Sequence, residues 1–181
     1  MTTNNQKLIN RAKAIRLLLL DVDGVLTDGR LYYGNNGEEL KAFNIQDGLG
    51  IKLLQRNSIQ VGIITGRSSE LVARRASELG IELIVQGRED KLTALQETLN
   101  AMDKGSQLQM EQIAFLGDDL PDVAVIRQVG LGVAVANARK FVADNAHWQT
   151  TEKGGHGAVR ELAEMILQAQ GKLDSTLSNY L

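Results

Sequence analysis

"LLLLDVDGVLTDG", Leu17 to Gly29, decides how the rest of this chain is read. Four successive leucines leave no polar face, which suits a strand buried on both sides, as in a parallel sheet covered by helices. That strand runs without a spacer into Asp21, Asp23 and Asp28. Solvated loops carry acids freely, but the end of a buried strand rarely gathers them without a use.

Working outward, the same kind of apolar run recurs. "IQVGIITG" ends at Thr65 and Gly66, "IELIVQG" at Gly87 and "QIAFLGDD" at Asp118, with "GLGVAVANA" last. Helical patterns lie between them. "SSELVARRASELG" has serines to cap it, an apolar set at Leu71, Val72, Ala76 and Leu79, and Gly80 as a stop. "EDKLTALQETLNAM" and "DVAVIRQVG" read the same way, and "GAVRELAEMILQAQG" is read as a last helix ending at Gly171. The alternation predicts an α/β, Rossmann-like fold, a parallel sheet with helices on both faces, formed as a single domain over residues 1–181. "LYYGNNGEELKAFN" breaks the pattern. Strand-like pieces flank Asn35, Asn36 and Gly37, so a β-hairpin is expected at about residues 30–44, inserted after the first strand. The tail from 172 to 181, "KLDSTLSNYL", reads as loose.

Composition narrows the function classes. At 181 residues the chain is long enough for one full core. A formal charge of -2 with no basic run argues against nucleic acid as a partner. The absence of cysteine excludes a disulfide frame, thiol catalysis and thiolate metal ligands, leaving oxygen donors for any metal. No stretch approaches the roughly 18 apolar residues of a membrane span, and the N-terminal segment lacks the pattern of a signal peptide. A cytoplasmic protein without membrane attachment is expected.

In open α/β sheets, ligands bind beyond the carboxyl ends of the strands. The chemistry-bearing residues sit at those ends: Asp21 and Asp23 after the first run, Thr65 after the second, Asp118, Asp119 and Asp122 after the fourth. Lys91, at the start of a helix after the third run, can reach the same edge. Taken singly, D-x-D-G is a turn, G-D-D-x-x-D a helix cap, and a lone threonine or lysine a surface residue. Together, in this order, they suit phosphoryl transfer. Asp21 can attack phosphorus, and Asp23 can protonate the departing oxygen and later take a proton from the attacking water. Clustered carboxylates call for a cation, and Mg²⁺ with Asp21, Asp118 and the Asp23 carbonyl as ligands fits. Asp119 and Asp122 are read as supporting those ligands, Thr65 as a hydrogen-bond donor to the phosphoryl group, and Lys91 as its positive counterpart.

"DVDGVLTDG", "TGR", the lysine of "GREDK" and "GDDLPD" resemble, in order, the four signatures of the haloacid dehalogenase-like (HAD) phosphatases. With the hairpin, "DGLGIKLL" from Asp47 to Leu54 and "GGHGAVRE" from Gly154 to Glu161, the resemblance covers nearly the whole chain. It is nearest to members acting on a phosphorylated eight-carbon keto-sugar acid. Many members of the superfamily carry a cap domain. Here 43 residues separate Asp21 from Thr65 and 25 separate Thr65 from Lys91, too few for one, so the fold is expected to be capless. The resemblance implies a homotetramer in which hairpins join and neighbouring subunits, including their C-terminal tails, shape each site. It also places Gly66, Arg67, Asp47 and Gly48 at the substrate. Arginine after "TG" marks the eight-carbon enzymes, where glutamate marks those for a nine-carbon acid, and its forked guanidinium suits a carboxylate or phosphate. No role for "GGHGAVRE" follows from the residues alone. A receiver domain, which also gathers acids around Mg²⁺, is the non-enzyme alternative, but it would carry its phosphoacceptor on a later strand and lack the hairpin. A catalytically dead scaffold of the same fold is disfavoured because every required group is intact.

Overall fold

The computed structural model describes residues 3–36, 39–101 and 108–181. The four leucines form β1 (Leu17–Leu20), the centre of a six-stranded sheet. Its parallel neighbours are β4 (Gln60–Ile64) and β6 (Ile113–Gly117), in registers that pair Leu20 with Ile63 and with Leu116. β5 (Leu83–Val85) lies outside β4, while β7 (Leu131–Ala134) and then β8 (Trp148–Gln149) lie outside β6. The chain thus builds outward from β1 on one side, then returns to build on the other. β1 sits at that reversal, where open α/β sheets bind ligands.

Alternation along β1 explains why all four leucines are needed. Leu18 and Leu20 pack into one core with α1 (Thr3–Ala14), α2 (Ile45–Arg56), α3 (Glu70–Leu79) and α7 (Ala158–Ala169). Leu17 and Leu19 pack into the other with α4 (Lys91–Ala101), α5 (Val123–Gln128) and α6 (Lys140–Asn145). All four are 1% exposed or less. The predicted stop of α3 is in place, with Gly80 in the left-handed conformation at φ 64°.

The hairpin is present and short: β2 (Tyr32–Tyr33) pairs antiparallel with β3 (Glu39–Leu40), Tyr32 opposite Leu40. Gly37, expected in its turn, lies outside the described residues. Two elements were not read from the sequence, and one expectation is corrected. The sheet has a sixth strand, β8, too short to show as an apolar run, and a helix, α1, precedes β1. The helix that ends near Gly171 is followed by another, α8 (Leu173–Ser178), so the tail is ordered rather than loose. Tertiary hydrogen bonds account for this: Lys172 Nζ donates to the Asn57 carbonyl at 3.0 Å, Asn57 Nδ2 to Thr176 Oγ1 at 3.0 Å, and Arg56 to the Tyr180 hydroxyl at 2.7 Å. These partners lie at the C-terminal end of α2, so within its own subunit the tail docks at the edge of the sheet opposite the acids. No helix among the described residues is long and apolar enough to cross a membrane.

Candidate active site

Register alone brings the acids together. With Leu20 level with Ile63 and Leu116, the residues just beyond those strands are Asp21, Thr65 and Asp118. The Asp21 N–H donates to the Leu116 carbonyl at 3.1 Å, so the chain is still paired to the sheet where the acid begins. Thr65 is buried and fixed on both sides: its N–H donates to Val85 at 2.9 Å and its carbonyl accepts from the Arg88 N–H at 3.1 Å. Lys91, the first residue of α4, places Nζ 2.9 Å from Asp21 Oδ1 and 2.6 Å from Asp122 Oδ1. The other oxygen of Asp122 accepts from the N–H groups of Asp118 at 2.8 Å and Asp119 at 3.2 Å. Asp122 therefore holds both the lysine and the loop that presents Asp118.

Charge in this cluster does not balance. Asp21, Asp118 and Asp122 each offer an oxygen within 4.8 Å of the others, against the single ammonium of Lys91. Burial raises the Asp21 carboxyl to about 6, helped by repulsion from Asp122 and opposed by Lys91. Burial likewise raises Asp118 to about 7, with Asp122, Asp21 and Asp119 adding to it. Desolvation alone would lower Lys91, but Asp21 and Asp122 outweigh it and raise its proton affinity. Because Asp122 is occupied by the lysine and by N–H groups, Asp21 and Asp118 are the carboxylates left to meet a cation. Hard oxygen donors, held close and deprived of water, fit Mg²⁺. Gly24 makes room for this. At φ 95° it leaves an opening that a Cβ would close, 2.2 Å from Asp118 Oδ2.

Asp23 stands apart from that cluster, on the hairpin side. Its Oδ1 forms a close ion pair with Lys41, and Arg67 Nε lies 3.6 Å from its Oδ2. Arg67, half-exposed at the mouth beside Gly66, also reaches Glu39 at 3.1 Å. Lys41 was not singled out in the sequence; nothing in "EELKAF" marks it apart from an ordinary strand lysine. Asp28 serves the base of the hairpin, accepting from the Arg30 N–H at 3.0 Å and the Tyr32 hydroxyl at 3.2 Å.

Asp47 and Gly48 lie in the first turn of α2, and their contacts are with α7 and α3 rather than with the Asp21 cluster. The buried Asp47 carboxylate accepts from the N–H groups of Gly157 at 3.2 Å and Arg160 at 2.9 Å, capping the N-terminus of α7. Gly48 and Gly50 are packing glycines: a Cβ on Gly48 would meet the Arg75 side chain at 2.5 Å, and one on Gly50 the Arg160 Cα at 2.9 Å. Asp119 is also reassigned. It is exposed, and its carboxylate caps the short turn that follows by accepting from the Leu120 N–H at 2.8 Å.

"GGHGAVRE" gains a role from the same geometry. The Gly155 N–H donates to Val25 at 2.8 Å, and a Cβ on Gly154 would sit 1.7 Å from the Gly24 carbonyl oxygen, so the segment lies flat against the loop that carries Asp23. Glu161 anchors it, accepting from the Thr151 N–H at 2.9 Å, the Thr151 hydroxyl at 2.7 Å and the Glu152 N–H at 2.9 Å. His156 is a surface residue, and Arg160 pairs with Glu164 at 2.6 Å.

A central parallel strand ending in two aspartates, with a threonine, a lysine and a further acid on the flanking strands, defines a phosphohydrolase of the HAD class. The model of haloacid dehalogenase-like hydrolases matches residues 81–162. The 3-deoxy-D-manno-octulosonate 8-phosphate (KDO 8-phosphate) phosphatase of Yersinia pestis is 53% identical over 92% of this chain and 87% of its own. The Escherichia coli K12 enzyme of the same name is 49% identical over 92% and 86%. The crystal structure of the Moraxella catarrhalis KDO 8-phosphate phosphatase, in complex with magnesium, phosphate and KDO, superposes with a TM-score of 0.93 at 43% identity. It covers 99% of this chain and 100% of that one. The chain belongs to the KDO 8-phosphate phosphatase family.

Proposed function

We propose that this protein hydrolyses KDO 8-phosphate to KDO and inorganic phosphate with Mg²⁺, a step in lipopolysaccharide precursor synthesis. The observation that carries the reading is the Asp21–Lys91–Asp122 cluster, with Asp118 beside it, at the carboxyl end of β1 in a chain so similar to those enzymes. Asp21 forms a bond to phosphorus as the bond to the sugar oxygen breaks, and Asp23 delivers a proton to that oxygen. Water then attacks the aspartyl-phosphate and loses its proton to Asp23, and Asp21 leaves as a carboxylate. Thr65 donates to a phosphoryl oxygen, and Lys91 counters charge that builds in the transition state. When bound by Asp21, Asp118 and the Asp23 carbonyl, Mg²⁺ offsets the charges of the phosphate and the carboxylates.

Arg67, beside Gly66 at the mouth, is assigned to the carboxylate or the phosphate of the sugar acid, and an arginine at this position favours the eight-carbon acid by resemblance. A capless site is open to solvent. Tyr33 is 64%, Leu40 65% and Ile45 82% exposed around the hairpin, apolar surface that suits packing against other copies in a homotetramer. A neighbouring subunit's tail is assigned to complete the site, and the cytoplasm is the proposed location.

Phosphate release from KDO 8-phosphate, the nine-carbon analogue and common sugar phosphates, with Mg²⁺ and with EDTA, is the test. A metal-dependent preference for the eight-carbon acid is expected; equal rates across the panel would overturn the substrate and the role of Arg67.

A further inference from the structure

The site reading uses Asp23 but leaves unexplained what holds it. Asp23 is on a loop, three-quarters of its side chain covered, and neither Lys91 nor Asp122 is among its partners. Its oxygens are taken instead by cations from outside the sheet. Lys41 contacts Oδ1, Arg67 Nε approaches Oδ2 at 3.6 Å, and both cations meet again on Glu39, at 3.2 and 3.1 Å. Asp23, Lys41, Glu39 and Arg67 thus close a ring of alternating charge. Its members differ in exposure. The Arg67 side chain is 44% exposed and can leave the ring for a substrate, whereas that of Lys41 is 2% exposed. Burying an ammonium is costly unless it is paired, so the position of Lys41 is tied to that of its carboxylates.

We propose that Lys41, just after the second strand of the hairpin, is a positioning residue for the reaction: it fixes the Asp23 carboxylate so that it meets the leaving oxygen and, afterwards, the attacking water. This rests on the assignment of Asp23 as acid and base. The hairpin is then more than an edge decoration, because the group that moves the proton is held from it and not from the sheet that holds the nucleophile.

Two substrates separate this role from a structural one. KDO 8-phosphate needs a proton on its leaving oxygen, while p-nitrophenyl phosphate releases a stable phenolate that needs none. In the full-length protein with Mg²⁺, Lys41→Met is expected to lower kcat for KDO 8-phosphate by about 10- to 100-fold, part of what general acid–base catalysis supplies. With p-nitrophenyl phosphate, a burst of about one phenolate per site should precede slow turnover, because Asp21 is phosphorylated normally and only the water step has lost its base. Lys41→Arg is expected to restore most of the activity. In an Asp23→Asn background, adding Lys41→Met should change kcat by less than about twofold, since its effect runs through Asp23.

Wild-type kcat in Lys41→Met, or an equal loss with and without Asp23, would overturn the proposal. Wild-type turnover of KDO 8-phosphate by Asp23→Asn alone would instead overturn the acid–base assignment beneath it. Lys41→Gln, which keeps a donor without charge, is read by the same criteria if Lys41→Met does not fold.

Discussion

The cluster around Lys91 and the ring around Lys41 share one edge of the sheet, yet charge is balanced in only one of them. In the first, Asp21, Asp118 and Asp122 face a single ammonium, and two of the acids are pushed up to about 6 and about 7. In the second, Asp23 and Glu39 alternate with Lys41 and Arg67. The first is incomplete until a cation arrives; the second is electrically complete and supplies position. They meet at Gly24, which follows Asp23 and lies against Asp118. The nucleophile is thus placed where charge is short of compensation, and the proton carrier where it is not.

Removing one charge from the unbalanced side is the hardest test. Asp21→Asn is expected to reduce turnover by on the order of 10⁴-fold or more, since no nucleophile remains. In EDTA at pH 8 the same variant should melt higher than the parent by about 2 to 4 °C, the shift that about 1 kcal/mol gives a domain of this size. A lower melting temperature would show that the Lys91 ion pair outweighs the repulsion and desolvation, and the contrast between the clusters would fail.

Gly24→Ala strikes the junction. A Cβ there falls 2.2 Å from Asp118 Oδ2 at a φ of 95°, so the carboxylate must move. Mg²⁺ affinity measured by calorimetry should drop by about 10- to 100-fold, the usual cost of disturbing what orients a ligand. Unchanged affinity would remove Asp118 from the metal site.

A pH series of melting curves sharpens the same contrast without mutation. The folded-state values of Asp21 and Asp118 stand above the unfolded carboxylate value of 3.8, so between that value and about 7 the folded protein binds more protons than the unfolded one. The stability these groups contribute is full below the unfolded value and is lost as pH rises through the folded values. Metal-free protein should therefore lose stability between pH 5 and pH 8 relative to a Mg²⁺-saturated sample, whose advantage is largest at pH 8. Parallel curves with and without Mg²⁺ would sink the claim.

The sheet and the Lys91 cluster were legible because both follow from short-range rules. A doubly buried strand shows as an apolar run, and residues that end neighbouring parallel strands must share an edge. What escaped the sequence depends on tertiary partners. β8 is two residues long, and α8 is held by Asn57 and Arg56, more than a hundred residues earlier. Lys41 carries no local signal because Asp23, the carboxylate it pairs with, lies 18 residues earlier, on the far side of the hairpin. "DGLG" stayed ambiguous for a related reason: glycine beside an acid suits a substrate loop as well as two helices in close contact, and its contacts with α7 and Arg75 are tertiary.

Asp47 offers the mildest test, and it separates the two readings of that motif. Burial raises its carboxyl, opposed by the N–H groups of Arg160, Gly157 and Val159, so it is a costly group kept for its capping bonds. Asp47→Ala should lower stability by about 1 kcal/mol, the usual worth of an N-cap side chain. kcat and KM for KDO 8-phosphate should change little. The α7 cap lies behind the segment that presses on Gly24, so any loss of activity should appear in Mg²⁺ affinity before it appears in KM. A large rise in KM with stability unchanged would give Asp47 to the substrate rather than to the cap.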